Sequence, residues 1–178
     1  MKKVTADERR DFILSRLKES DAPLTGNELA AETNVSRQII VGDISILKAR
    51  NEPIIATSQG YIYIQPKTPI SRVERTVACN HPPGRTEEEL NLIVDHGVTV
   101  KDVKIEHPVY GDLTASILVS NRKEVKQFMK KVRETQASYL LELTNGIHLH
   151  TLSATSEKAL DEAELALKDA GFLMDTMD

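Results

Sequence analysis

Residues 25–49 read TGNELAAETNVSRQIIVGDISILKA, and this stretch decides the fold of the first third of the chain. Thr25, with Glu28 three residues later, has the pattern of a capping box that starts a short helix. Ser36 has the pattern of an N-cap for the next helix, which we expect to run to about Ala49. Two short helices joined by a tight turn in this way are typical of a helix-turn-helix.

The sequence on either side of this stretch completes a winged helix-turn-helix. Upstream, the helical spacing of Phe12, Ile13 and Leu17 predicts a first helix with one buried face. Downstream, residues 53–56 and 61–64 are extended segments joined by the turn signal TSQG, which predicts a hairpin. Pro66 and Pro69 follow the hairpin and favour an extended link. We therefore divide the chain into a first domain and a second domain at residues 1–67 and 68–178.

The exposed face of the third helix is the predicted DNA-reading surface. Ile40, Ile44 and Leu47 share one face and are expected in the core. Gly42 should cost about 1 kcal/mol relative to Ala. It either permits close approach of another backbone or has no structural role. A recognition helix places its N-terminal residues on base edges. We predict base contacts near the helix start from Arg37, Gln38 and Val41, although Arg37 could equally contact a phosphate. Phosphate contacts are expected near the helix end from Lys48 and Arg50. The N-cap residue Ser36 is also expected to lie against DNA. The alternative is a small helical module that binds no DNA or binds protein.

The charge distribution also favours DNA binding by the first domain. The net charge is −4, but residues 1–67 hold 10 Lys and Arg against 9 Asp and Glu, whereas residues 68–178 hold 13 against 18. An acidic surface is repelled by DNA. The single cysteine cannot form an internal disulfide, and no apolar stretch approaches the ~20 residues of a membrane span. These features predict a cytoplasmic protein.

Residues 68–178 predict an α+β domain. Apolar periodicity gives elements in the order β-α-β-β-α-β-α, at residues 73–79, 87–96, 99–106, 113–120, 122–135, 148–154 and 156–170. The helices are amphipathic, and the strands alternate polar and apolar residues. This pattern favours an antiparallel sheet with helices on one side.

Four polar residues of this domain form a candidate metal site. His148 and His150 are two apart on a predicted strand, so both imidazoles lie on one face. Imidazole is a common ligand of divalent transition metals. His81 closes the first strand, and Glu89 lies in the first turn of the following helix. If the first and last strands are neighbours, three imidazoles and one carboxylate could converge.

Each of these residues has a structural alternative. Glu89 could complete a capping box with Thr86, and His81 could simply end its strand. The His-x-His pair could be an ordinary exposed surface. Cys79 shares the face of His81 and could be a soft metal ligand, although a buried apolar thiol is the commoner role. The remaining histidines fit structural roles at a helix end and a strand end, namely His96 and His107.

Four stretches of the chain resemble the nicotinic-acid-responsive repressors of NAD biosynthesis: LTGNELAAETNVSRQIIVGDI, PIIATSQGYIY, RTEEELNLIVDHGVTVKDVKIEHPVYGDLTA and NGIHLHTL. The similarity covers nearly the whole chain, and EHPVYGDLTA and HLHTL are specific. That family joins a winged helix-turn-helix to a three-histidine domain. The second domain is similar in fold to the open-faced antiparallel β-sandwich of the phosphocarrier protein of sugar transport.

The resemblance implies a metal-dependent co-repressor site. A divalent metal (zinc, nickel or iron) would be held by His81, Glu89, His148 and His150. Nicotinic acid would complete an open coordination position through its pyridine nitrogen or its carboxylate. Its other end would be held by a neighbouring polar side chain, for which the candidates are His107, Tyr110, Lys104 and Arg75. Some family members have an apolar residue in place of Cys79, which argues against a thiol ligand.

The resemblance also implies a homodimer that binds operator DNA, with half-sites about one turn, ~34 Å, apart or a multiple of that. Two other functions are compatible with the same residues. A metalloenzyme acting on a pyridine carboxylate could use three histidines and a glutamate to activate water. A regulator that responds to metal alone would need no organic effector.

Overall fold

The computed structural model describes residues 5–65 and 71–174. The chain folds as two compact units, Met1–Thr68 and Pro69–Asp178. The proline-containing link predicted at residues 66–69 lies outside the described residues. Each unit has its own hydrophobic core.

The first unit contains three helices and a two-stranded hairpin: α1 Ala6–Glu19, α2 Gly26–Thr33, α3 Arg37–Ala49, β1 Ile54–Thr57 and β2 Gly60–Tyr63. Capping boxes start α1 and α2, at Thr5 and Thr25, and the Ser36 hydroxyl accepts a hydrogen bond from the Ile39 amide at the start of α3. The winged helix-turn-helix prediction is therefore confirmed.

The core of the first unit differs from the prediction at one residue. Ile13 and Leu17 are buried as expected, but Phe12 is 41% exposed. One turn earlier on α1, Arg9 is largely buried and ion-pairs with buried Asp43 of α3. The packing of α1 on α3 therefore includes a polar pair besides the apolar residues.

The second unit is a mixed helix and antiparallel-sheet domain, as predicted. Its regular elements are β3 Val73–Asn80, α4 Thr86–Asp95, β4 Thr99–Val100, β5 Val103–His107, β6 Gly111–Ala115, α5 Arg122–Thr135, β7 Ile147–Ala154 and α6 Glu157–Asp169. Two 3-10 turns, Pro83–Arg85 and Leu140–Thr144, were not predicted. Strand β7 lies between β3 on one side and β4 and β5 on the other, and β6 pairs with β5.

Two predicted strands are shorter in the structure. The strand expected at residues 99–106 is interrupted between β4 and β5, where Asp102 turns its carbonyl and carboxylate toward β7. The strand expected at residues 113–120 ends at Ala115, and Leu118 adopts a left-handed backbone with φ of 49°. Such a conformation is incompatible with a regular strand.

Candidate metal centre and DNA-binding surface

Three elements bring the predicted metal ligands together. β3 and β7 are antiparallel neighbours with Cys79 opposite His148, so His81, which follows β3 directly, lies at the same end of the sheet as β7's histidines. Helix α4 packs its buried face over that end and contributes Glu89, which is 0% exposed. The condition stated from sequence, that the first and last strands be neighbours, is met.

The three imidazoles surround the Glu89 carboxylate. The Nε2 atom of His81 lies 2.7 Å from Oε2 of Glu89, that of His150 lies 3.3 Å from Oε2, and that of His148 lies 3.2 Å from Oε1. Phe172 packs edge-on against the His81 ring, with centroids 5.1 Å apart. Glu89 therefore does not close the capping box with Thr86, and α4 has no side-chain cap.

The other ring nitrogens fix the orientation of each imidazole. Nδ1 of His81, His148 and His150 lies within 2.9 Å of a backbone carbonyl oxygen, those of Pro82, Gly146 and Asp102, respectively. A carbonyl oxygen can only accept, so each Nδ1 carries a hydrogen. In the neutral ring Nε2 is then an unprotonated lone pair facing a carboxylate. Such a cluster requires a cation, either protons or a metal ion.

The geometry of the donors fits a metal ion. Two ligands each about 2.0 Å from a tetrahedral zinc are roughly 3.3 Å apart. The Nε2 atoms of His148 and His150 are 3.2 and 3.3 Å from the nearest Glu89 oxygen, which matches this spacing. The Nε2 atom of His81 lies 2.7 Å from Oε2, a hydrogen-bond distance that would have to lengthen for His81 to share the ion. Backbone acceptors on the outer nitrogen of ligating histidines are also the usual support of metal sites.

Electrostatics in the metal-free cluster favour the charged forms. Burial opposes protonation of His81 and His150, but the hydrogen bonds and charge of Glu89 outweigh burial and raise the pKa of both histidines. Burial also disfavours ionised Glu89, yet the charge of His150 and the hydrogen bonds of the three imidazoles hold the pKa of Glu89 well below its usual range. Without metal, the Glu89 charge therefore favours protonation of His81 and His150, and a metal ion would compete with these protons.

Cys79 lies at the edge of the cluster. Its sulfur, a Glu89 oxygen and a His148 ring nitrogen are all within 4.8 Å of one another, and the thiol is fully buried. Burial, followed by the charge of Glu89, raises the pKa of the Cys79 thiol. In the absence of metal Cys79 is thus a protonated thiol that packs beside the ligand set.

A cavity of about 200 Å³ opens beside the cluster. Its polar end is formed by Thr86, Glu89, His148 and His150. The other walls are almost entirely apolar and come from α4, α5, the sheet and the second 3-10 turn, including Leu90, Val103, Ile117, Phe128, Val132 and Leu141. The sequence predicts an amphipathic helix at residues 122–135 but could not indicate that Phe128 and Val132 of this helix border a cavity.

The structure does not bring Arg75 or Lys104 to this cavity. The Arg75 guanidinium is bound by three carboxylates of α6, with the nearest oxygen 2.6 Å away on Glu164. Lys104 pairs with Leu149 across the β5–β7 contact, so it lies on the sheet face opposite His148 and His150. There Lys104 donates a hydrogen bond to the Thr151 hydroxyl at 2.9 Å.

His107 and Tyr110 have local roles in the β5–β6 turn. Nδ1 of His107 accepts hydrogen bonds from the backbone amides of Val109 and Tyr110, at 3.1 and 3.3 Å. The Tyr110 side chain is 75% exposed and lies against the His107 ring. Neither residue borders the cavity, so the structure supports the strand-end interpretation of His107.

The predicted DNA contacts lie on the outer surface of α3. Arg37, Gln38, Lys48 and Arg50 are exposed, and Val41 is half-buried. Arg50 also lies 3.7 Å from Asp7, an exposed pair. Ile40, Ile44 and Leu47 are buried on the opposite face, as predicted.

Gly26, which the sequence did not single out, is buried beneath this surface. A Cβ on Gly26 would lie 3.3 Å from Cγ of Arg37 and 3.6 Å from the Tyr61 ring. The Arg37 stem therefore crosses the start of α2 beside the hairpin. Because the contact joins residues of three elements, no local pattern could have indicated it.

Together, a winged helix-turn-helix with an open recognition helix and a second domain with a cluster of buried histidines define a two-domain DNA-binding regulator. Residues 9–62 match an HTH domain family, and residues 74–176 match the 3H domain family. Among the described residues, no helix is both long and apolar enough to cross a membrane.

Two relatives match along almost their whole length. The chain is 61% identical to the transcription repressor NadR of Bacillus subtilis (strain 168), covering 97% of this chain and 96% of that protein. It is 38% identical to a probable transcription repressor, NiaR, of Thermotoga maritima, covering 97% of both chains. The chain belongs to the 3H-domain family of NadR and NiaR repressors. It is a DNA-binding transcription repressor and not an enzyme.

Proposed function

We propose that this repressor controls genes of NAD biosynthesis and niacin uptake as a homodimer, with nicotinic acid as co-repressor beside a divalent metal ion. The observation that carries the proposal is the convergence of His81, His148 and His150 on buried Glu89, next to a cavity. The metal ion would supply a positive charge and an open coordination position. The resemblance noted in the sequence supplies the identity of the effector.

The histidines and the apolar cavity walls would have different roles in such a switch. The Nδ1 contacts with backbone carbonyls would keep the three imidazoles oriented, so that the metal site is formed before metal arrives. The apolar walls would exclude water from the effector. Nicotinic acid would strengthen operator binding only if it binds the DNA-competent state more tightly than the other state.

A regulator responding to metal alone is the second candidate. The cavity beside the cluster favours an organic effector, since a metal sensor needs no room for a ligand beyond the metal.

Operator binding tests the proposal directly. We would measure fluorescence anisotropy of DNA from upstream of a NAD-biosynthesis gene, using zinc-loaded protein with and without nicotinic acid. We expect a 5–150-fold gain in affinity, the usual range for coupled sites. The double variant His148→Ala/His150→Ala should lose bound zinc and the response. His96→Ala should keep both, because the His96 ring bonds to the Leu92 carbonyl at the end of α4 and does not line the cavity.

The outcomes separate the candidates. An affinity that follows zinc but ignores nicotinic acid would support the metal-only regulator. Retention of zinc by the double variant would refute the ligand set. Light scattering in the same buffers should give twice the mass of the chain, and a monomer that still binds DNA would refute the dimer.

A further inference from the structure

We infer that the cavity holds a small, flat monocarboxylate with the carboxylate directed at the histidine cluster and the ring among the apolar walls, so that a ring nitrogen is dispensable. This inference rests on the proposed function and deepens it, because it assigns the orientation and the chemical class of the effector. The sequence left open whether the pyridine nitrogen or the carboxylate faces the metal.

The first argument is the distribution of charge. Among the described residues that line the cavity there is no lysine or arginine. A carboxylate placed at the apolar end would be buried without a cationic partner, at a cost of several kcal/mol. The cation bound by the histidines and Glu89 is the only positive charge that these walls can offer. The anionic end of the ligand is therefore the end that faces the cluster.

The second argument is the charge balance of the loaded site. A divalent ion with three neutral imidazoles and the Glu89 carboxylate has a net charge of +1. One monocarboxylate neutralises this charge. An amide leaves this charge uncompensated beside apolar walls, and a dicarboxylate reverses its sign. The ligand set thus selects by charge for a monoacid.

The third argument is size. An apolar cavity of ~150 Å³ accommodates one benzene molecule, and pockets for drug-sized ligands are ~300–1,000 Å³. The cavity here is about 200 Å³. It matches one six-membered ring with one small substituent, and Phe128 offers the ring an aromatic wall.

Thr86 provides a second contact for the carboxylate. It lines the cavity one helical turn before Glu89, on the same face of α4. Its residue exposure is 6%, and no described group hydrogen-bonds to its hydroxyl. A buried hydroxyl without a partner is destabilising, and a carboxylate at the cluster would supply the missing acceptor. Thr86 would therefore help to position the effector without binding metal.

Calorimetry with the zinc-loaded full chain tests the orientation. The probes are nicotinate, benzoate, 3-methylpyridine and nicotinamide. We expect nicotinate and benzoate to bind within about tenfold of each other, and the two uncharged compounds to bind at least about 100-fold more weakly. Binding of 3-methylpyridine comparable to that of nicotinate, together with loss of benzoate binding, would overturn the inference.

The same series distinguishes failure of the inference from failure of the proposed function. If benzoate binds and nicotinate does not, the inference that the cavity binds a monocarboxylate is supported and the proposed co-repressor is wrong. If neither acid binds to zinc-loaded protein, both are wrong.

Substitution of Thr86 tests the second contact. Thr86→Val preserves shape but removes the hydroxyl, and should weaken nicotinate and benzoate alike by roughly tenfold or more, the value of a hydrogen bond to a charged group. Thr86→Ser should restore most of the affinity. Zinc content should be unchanged in both variants. Wild-type affinity for both acids in Thr86→Val would refute this role.

Discussion

Glu89 illustrates how one residue changes its role between a local and a tertiary context. The sequence TEEE permits a capping box, in which Glu89 would bond to the start of its own helix. In the structure its carboxylate is within 3.4 Å of Nε2 of all three histidines. The attraction of three imidazoles outweighs the cost of burying the charge, as the lowered pKa of Glu89 shows.

Glu89→Gln should abolish tight metal binding, because the amide keeps the size of the side chain but removes its charge and one donor oxygen. We expect the variant to lose at least about 100-fold in zinc affinity, more than the loss of a supporting contact. Zinc retained after dialysis against a weak chelator is the measurement. Its neighbour Glu88, which pairs with Arg85 at the surface, provides the control, and Glu88→Gln should retain zinc. Equal retention by both variants would exclude Glu89 as a ligand.

The metal-free protein should lose stability as the pH rises above neutrality. The pKa values of His81 and His150 are raised in the folded state, above the ordinary 6.5. A raised pKa stabilises the fold fully below the ordinary value, and the contribution disappears as pH rises through the folded value. Melting temperatures in chelator should therefore be lower at pH 9 than at pH 6.5.

Excess zinc should reverse this trend, because metal replaces the protons and binds more tightly as pH rises. Glu89 has the opposite effect at acid pH, because its pKa is lowered in the folded state. Its contribution to the free energy of unfolding is present above pH 4.5, the ordinary pKa, and is lost as the pH falls through the pKa of the folded state. A melting temperature in chelator that is constant from pH 6.5 to 9 would contradict this account.

At the scale of elements, helix α3 has one face packed in the core and one face exposed to solvent. Ile40, Ile44 and Leu47 are buried, so packing fixes this face. A Cβ added at Gly42 on the outer face would meet no atom within 4 Å. The close backbone approach expected of Gly42 is therefore not found within the first unit. Packing within the first unit does not require a glycine at position 42.

Gly42→Ala should raise the free energy of unfolding of the first unit by about 1 kcal/mol, since alanine is the better helix former and nothing obstructs its methyl group. Urea denaturation followed by circular dichroism measures the change. Gly26→Ala is the contrasting variant, because its methyl group would press on Arg37 at 3.3 Å. The gain in free energy of unfolding should be smaller for Gly26→Ala than for Gly42→Ala. If Gly42→Ala instead lowers the free energy of unfolding, the backbone at that position is strained.

At the scale of the whole molecule, the two compact units have different stabilising elements. The first relies on caps, an aliphatic core and the buried ion pairs of Asp43 with Arg9 and Arg10. The second has a larger core and, at its edge, a cluster of charged and polar groups that requires a cation. Metal should therefore act directly on the second unit, which holds all the predicted ligands.

Removal of metal should loosen the second unit alone when DNA is absent. We expect amide hydrogen exchange in chelator to accelerate in β7 and α4, which hold the ligands, while the slow amides of α1 and α3 keep their rates. Mass spectrometry of peptides from the two units provides the measurement. Faster exchange in both units would mean that the metal site stabilises the chain as a whole.

The sequence by itself determined the local structure and the list of candidate ligands. These features depend on hydrogen bonds and spacings within a few residues, so they can be predicted from the order of residues alone. They are the caps at Thr25 and Ser36, the helical periodicity and the His-x-His pair. Strand order decided the rest. Glu89 meets His148 from 59 residues away, a contact that only the pairing of β3 with β7 creates.

Tertiary structure also determined which polar residues can reach the cavity, a distinction that the sequence could not make. Arg75 and Lys104 were plausible effector contacts by chemistry, but α6 and the far face of the sheet hold them. The sequence indicated Thr86 only as a helix cap, because what distinguishes its hydroxyl in the structure is the lack of a partner beside a cavity. A void and an unmet hydrogen bond are properties of packing in three dimensions, and no pattern of residue types encodes them.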